Sequence, residues 1–185
     1  MSRGKSAASA NKRKIKKKID SRYDSPMVEK LIRSVMRDGK ASIARSIVYE
    51  AIAHTTANMS DQVELPEHSD VREKEALTLN KVIEIITPRV EVKSKRVGGA
   101  NYQVPVIVNK DRGVTLALRW LVSSARDSKA GKPMSEKLAK EMLDTLAGKS
   151  SALGKKETQD RMASANRANA NLARRDNAAQ KSDEA

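Results

Sequence analysis

The chain has 185 residues, with 37 Lys and Arg against 23 Asp and Glu, for a formal net charge of +14. That balance favours a polyanionic partner, and the length suits one domain with tails. The absence of cysteine excludes disulfides and thiolate chemistry.

No apolar run approaches the roughly twenty residues of a membrane span, and the N-terminus lacks the apolar segment of a secretory signal. The expectation is a soluble, intracellular protein. With 2% aromatics and no phenylalanine, any core must be aliphatic.

Residues 1–22 are basic and small, with Lys12, Arg13 and Lys14, then Lys16, Lys17 and Lys18, opposed only by Asp20. Such a run repels itself and is expected to stay disordered until it meets an anion. It reads as a nucleic-acid-binding arm, the plainer alternative being a solubilising tail or a localisation signal.

From Ser25 the pattern turns helical. Ser25 can cap, Pro26 suits the first helical position, and Val28, Leu31, Ile32, Val35 and Met36 form one stripe. Asp38-Gly39 stops it. A second helix begins near Ala41, with Ala44, Ile47, Val48, Ala51 and Ile52 on one face. The polar, acidic stretch from Met59 to Asp70 reads as a loop. A third helix follows, through Leu79, Val82, Ile83 and Ile86, until Pro88 ends it.

Pro88 to Val108 is the most informative stretch. Two β-branched runs flank Gly98-Gly99, a strong signal for a two-residue hairpin with positive φ at both glycines. The register follows: Val97 faces Ala100, Lys95 faces Tyr102, Lys93 faces Val104 and Glu91 faces Val106. On the other face Arg96 meets Asn101, Ser94 meets Gln103, Val92 meets Pro105 and Val90 meets Ile107. Pro105 then falls at a non-hydrogen-bonded pair, where its missing N–H removes no ladder bond. The root, with Val90, Val92, Val104, Val106 and Ile107, is expected to anchor in a body, because a lone ribbon is marginal in water. The outer half carries Lys93, Lys95, Arg96, Asn101, Tyr102 and Gln103. Cations beside an aromatic and amides suit a phosphate backbone with base or ribose contact. The bland alternative is an edge hairpin whose lysines only prevent aggregation.

Lys110-Asp111-Arg112-Gly113 leads into a fourth helix, with Val114, Ala117, Leu118, Leu121 and Ala125 inward. Arg119 and Arg126, seven apart, lie close to one face of it. Trp120 reads as a core or boundary residue. Asp127 to Pro133 is a basic turn, and a fifth helix covers about Met134 to Ala147. Lys149-Ser150-Ser151 and Lys155-Lys156 then precede an alanine-rich helix predicted from Arg161 to Arg175, whose arginines could dock on an anion. The last ten residues read as a disordered tail.

Catalysis has no support. There is no P-loop, dinucleotide fingerprint or cysteine nucleophile, and His54 and His68 lack a ligand-like spacing, so neither a metal nor a cofactor is expected.

VEVKSKRVGG followed by YQVPV resembles the central signature of the small-subunit ribosomal protein seven family, in its bacterial and organellar form. DGK at Asp38–Lys40, IVY at Ile47–Tyr49, ALRW at Ala117–Trp120, RMA at Arg161–Ala163 and AN at Ala165-Asn166 extend the likeness across about residues 20 to 173. The resemblance implies a mainly α fold, a bundle of about six helices with one protruding two-stranded antiparallel hairpin. That agrees with the order of elements read from the residues. The organisation expected is an arm at 1–22, a helical domain at 23–175 with the hairpin at 89–108, and a tail at 176–185.

The resemblance also implies a primary rRNA-binding protein that binds the 3′ major domain of 16S rRNA and nucleates assembly of the small-subunit head. The residues expected to contact rRNA are Lys12, Arg13, Lys14, Lys16, Lys17, Lys18, Arg22, Lys40, Lys93, Lys95, Arg96, Lys110, Arg112, Arg119 and Arg126. The tip, with Lys95, Arg96, Gly98, Gly99 and Tyr102, would lie near exit-site tRNA and the mRNA path. Small-subunit proteins nine and eleven would be neighbours, in a cytoplasmic or an organellar ribosome. Three departures from the family pattern stand out. The arm before Asp20 is longer and richer in lysine, the 59–70 loop is expanded and acidic, and Asn169, Leu172 and Arg174 replace residues that tend to be aromatic.

Two other functions fit parts of the chain. An architectural DNA-binding protein with basic β-arms would match the composition, but such arms insert an apolar wedge and Gly98-Gly99 offers none. A translational repressor binding its own message could coexist with the ribosomal role.

Overall fold

The computed structural model describes residues 19–59, 70–128 and 131–171. Lys12 to Lys18 of the basic arm, most of the acidic loop with His68, and the C-terminal tail lie outside the described residues. The elements are α1 (Pro26–Val35), α2 (Ala41–Ala57), α3 (Val71–Ile86), β1 (Val90–Val97), β2 (Ala100–Ile107), α4 (Lys110–Asp127), α5 (Met134–Leu146) and α6 (Ser151–Ala165), followed by a 3-10 turn at Arg167–Asn169.

Local chemistry places most of these boundaries. The Met27 N–H donates to Ser25 Oγ at 3.3 Å, and Pro26 occupies the first turn of α1. Asp38 and Gly39 take positive φ of 51° and 71°, which turns the chain from α1 into α2. The Val71 N–H donates to Asp70 Oδ1 at 2.8 Å, opening α3. One aliphatic core joins the five helices α1 to α5 and Ala152 of α6, with α5 packed against both α2 and α4. Val28, Leu31, Ile52, Leu79, Leu121, Leu138 and Met142 are fully enclosed in it. Trp120 packs on its boundary, as its sequence position indicated.

The fourth helix starts earlier than expected, with Lys110 to Gly113 inside its first turn. A Cβ on Gly113 would lie 2.9 Å from Thr87 Cγ2 and 3.5 Å from the Pro88 carbonyl oxygen. Thr87 cannot swing away cheaply, because its hydroxyl donates to the Ile83 carbonyl at 2.6 Å. Gly113 thus lets α4 sit close against the segment that leads from α3 into the ribbon. Gly113→Ala should destabilise the protein by about 1–3 kcal/mol through overpacking, read as a lowered urea midpoint.

The last helix departs furthest from expectation. It runs from Ser151 to Ala165, whereas the alanine-rich pattern pointed to Arg161–Arg175. Its start is fixed by acceptors the periodicity does not reveal. Leu153 N–H donates to Ser150 Oγ at 3.1 Å, and Ala152 N–H donates to the buried Glu141 of α5 at 2.9 Å. Lys155 and Lys156, read as preceding the helix, lie inside it. Lys155 reaches Ser123 Oγ at 3.0 Å, and Lys156 donates to the Ile85 carbonyl. The helix ends where the Asn166 side chain turns back to the Met162 carbonyl at 2.9 Å.

The ribbon pairs in the expected register throughout, from Val97 opposite Ala100 to Val90 opposite Ile107, with Val92 opposite Pro105. Gly98 and Gly99 carry φ of 57° and 88°, so both central turn positions are left-handed. The root is anchored less evenly than its composition predicted. Val104 is buried, and Val90, Val92 and Val106 are partly covered, but Ile107 is 87% exposed. Helix α6 packs on β1, and the 3-10 turn meets β2. Ile107, at the far end of β2, falls outside that cover.

Candidate nucleic-acid interface

The outer half of the ribbon is a solvent-facing surface of cations and amides. Lys93, the half-buried Lys95 and Tyr102 share one face, with Lys95 directly opposite Tyr102, which keeps 40% of its surface exposed. Arg96, Asn101, Ser94 and Gln103 occupy the other face, all exposed. Such a ribbon can offer charge to phosphates from both faces and one phenol ring to a base or ribose.

A second cationic surface lies at the other end of α4. The α1–α2 turn, the C-terminal part of α4 and the start of α5 enclose a cleft of about 380 Å³. Val35, Met36, Ile43, Ala44, Ile47 and Met134 form its apolar walls, and Arg37, Lys40, Arg126, Lys132 and Lys137 line it with charge. Among the described residues that line it there is no carboxylate. Arg126 is fixed there by donating Nη2 to the Val35 carbonyl at 3.0 Å. Burial lowers its affinity for its proton, and the neighbouring Arg37 charge adds to the effect. Two guanidiniums repelling each other over an apolar floor form a favourable setting for an anion.

The residues singled out from sequence separate into distinct places. Lys40 and Arg126 come together at the cleft, while Arg37, Lys132, Lys137 and the half-exposed Ile43 join them without having been foreseen. Sequence spacing could flag Arg37 beside the Asp38-Gly39 turn, but Lys132 and Lys137 reach the site only through the packing of α5. Lys132 is also paired with Glu136 at 3.5 Å. Arg119 and Lys110 are exposed on α4, and the Arg119 charge reaches Glu91 at the ribbon root. Arg119, at the middle of α4, thus faces the ribbon root electrostatically, whereas Arg126, in its last turn, faces the cleft. Arg112 is bonded to Glu91.

Arg22 stacks over two rings, its guanidinium carbon 5.4 Å from the centre of Tyr23 and 5.0 Å from that of Tyr49. Residues 20–22, read from sequence as the end of the arm, are thereby built into the body. Among the described residues no three His, Asp or Glu side chains gather as metal ligands, and no helix is long and apolar enough to cross a membrane. His54 is solvent-exposed beside Asn58.

Comparison with known proteins gives this surface its context. The family model for ribosomal protein S7p/S5e matches residues 5–167. The small ribosomal subunit protein uS7 of Arthrospira platensis is 44% identical over 150 residues, covering 80% of this chain and 87% of the relative. The chain belongs to the ribosomal protein S7p/S5e family. The uS7 of Borrelia duttonii is 41% identical over 162 residues, covering 86% of this chain and 96% of its own length. That of Thermosipho africanus is 44% identical over 150 residues, covering 80% and 88%. The protein is thus a structural component of the small ribosomal subunit and not an enzyme. The family read from the hairpin signature is the one found.

Proposed function

We propose that this chain binds ribosomal RNA through separated cationic surfaces on one helical body, and that it organises the 3′ major domain of 16S rRNA into the subunit head. The observation that carries this reading is the pairing of two built surfaces. The ribbon tip with Lys93, Lys95 and Arg96 projects on one side, and the cationic cleft with Arg37, Lys40 and Arg126 lies at the other end of α4. Lysine and arginine displace counterions from phosphates, while the helices between them fix the angle at which two RNA segments are held. Lys12 to Lys18 of the arm, with Arg22, Lys110 and Arg119, extend the same basic character. In this reading the tip residues Lys95, Arg96, Gly98, Gly99 and Tyr102 lie beside exit-site tRNA and the mRNA path. Small-subunit proteins nine and eleven are neighbours in the assembled head, in a bacterial or an organellar ribosome.

Competition binding across a salt series tests the proposal. A 3′ major-domain rRNA fragment competes against duplex DNA and an unrelated structured RNA of equal length. Preference for the rRNA fragment should persist as salt rises. Equal affinities that collapse together would leave only nonspecific charge and sink the reading.

A further inference from the structure

The ribbon is tied to the helical body on both of its strands. On β1, Glu91 receives a two-point bond from Arg112 of α4, with Nη2 to Oε1 at 2.7 Å and Nε to Oε2 at 3.2 Å. A guanidinium fork on a carboxylate fixes direction as well as distance. The bond holds the Glu91 carboxyl below its ordinary range, with Lys93 and Arg119 adding to it. On β2, Asn169 of the 3-10 turn donates Nδ2 to the Gln103 carbonyl at 3.0 Å. The two attachments come from helical segments far apart in sequence and grip different strands.

A two-stranded ribbon has no third strand to set its angle, so its direction comes from its attachments to the body: the packing of α6 on β1 and these directional bonds. We propose that Glu91, Arg112 and Asn169 are positioning residues that set the angle of the ribbon against the body, with Arg112 acting through Glu91 and not on an RNA phosphate. Its effect on RNA rests on the function proposed above. Arg112 already spends its fork on a carboxylate that is mostly covered, so a phosphate would have to displace that partner. An ion pair with one exposed member contributes little to folding, so its role is in pose.

Charge gives the two roles opposite signs. Glu91→Ala raises the net charge by one and frees Arg112. If Arg112 met phosphate directly, the variant would bind RNA more tightly; as a positioning residue it must bind more weakly despite the added charge. The chain has no cysteine, so cysteines placed at exposed Asn101 and Ala57 can carry spin labels without background. Glu91→Ala and Asn169→Ala should each broaden the tip-to-body distance distribution in the full chain. Each should also weaken binding of the 3′ major-domain fragment about three- to tenfold through lost preorganisation, with the salt slope unchanged. The exchange Glu91→Arg with Arg112→Glu should restore a narrow distribution. An unaltered distribution in Glu91→Ala, or tighter RNA binding by it, overturns the proposal. If the wild-type chain shows no preference for rRNA, the proposed function fails, and the distance distributions alone decide whether these residues hold the ribbon.

Discussion

Replacing Lys93, Lys95 and Arg96 together with alanine is expected to weaken binding of the 3′ major-domain rRNA fragment by about ten- to a hundredfold at low salt. The reason is the count of phosphates each cation can neutralise. Each such contact contributes roughly 0.7 to 0.9 to the slope of log affinity against log salt, so losing three should flatten that slope by about two. Lys93 and Arg96 are exposed, whereas Lys95 is half-buried and already engaged within the protein. The double variant Lys93→Ala/Arg96→Ala should therefore account for most of the loss. Helical circular dichroism should stay unchanged, because none of the three belongs to the aliphatic core. A fall in affinity with the slope unchanged would mean that the ribbon had lost its direction and not its charge. Unfolding would mean that these side chains support the body.

Features encoded in short stretches were readable from the sequence. Gly98-Gly99 sets the ribbon register, and Pro105, the residue most able to contradict it, sits opposite Val92 as required. Ser25 with Pro26 opens α1, and Asp38-Gly39 separates it from α2. The features that escaped depend on residues brought together by packing. The start of α6 is fixed by Glu141 from the preceding helix, which no periodicity in 151–165 could announce. Ile107 reads as part of the anchoring root for its apolarity, yet it is 87% exposed, because cover of the ribbon depends on where α6 and the 3-10 turn meet it. The Arg112–Glu91 bond was not legible, because the two residues lie 21 positions apart on a helix and a strand. The cleft draws on α1, α2, α4 and α5, so of its cations only Lys40 and Arg126 were singled out as contacts from the sequence.

Asp20→Ala is expected to destabilise the fold by about 2–4 kcal/mol, more than any other single polar change near the arm. Asp20 is 2% exposed. Its Oδ2 accepts the backbone N–H groups of Arg22 and Tyr23, both at 3.0 Å, and its Oδ1 accepts the Tyr49 hydroxyl at 2.6 Å. Tyr23 in turn donates its hydroxyl to Glu75 of α3 at 2.7 Å, and the two rings meet edge to face at 5.4 Å. Removing the carboxylate strands three donors at once, whereas Tyr49→Phe removes one donor and leaves the turn intact, at about 1 kcal/mol.

The same network makes stability depend on alkaline pH. Burial, and then its bond to Asp20, pushes the Tyr49 phenol up to about 12 from an ordinary value of 10. Tyr23 is raised further, by burial and then by Glu75. Above pH 10 the unfolded chain gives up phenol protons that the folded chain retains, so the folded state binds more protons and stability falls with rising pH. Below pH 10 this contribution is fully present. The urea midpoint should therefore decline between pH 10 and 12, and Tyr23→Phe/Tyr49→Phe should flatten that part of the curve. Should Asp20→Ala cost no more than Tyr49→Phe at neutral pH, water must already reach the N–H groups of Arg22 and Tyr23. Asp20 would then orient the chain where the basic arm joins the body without holding the body together.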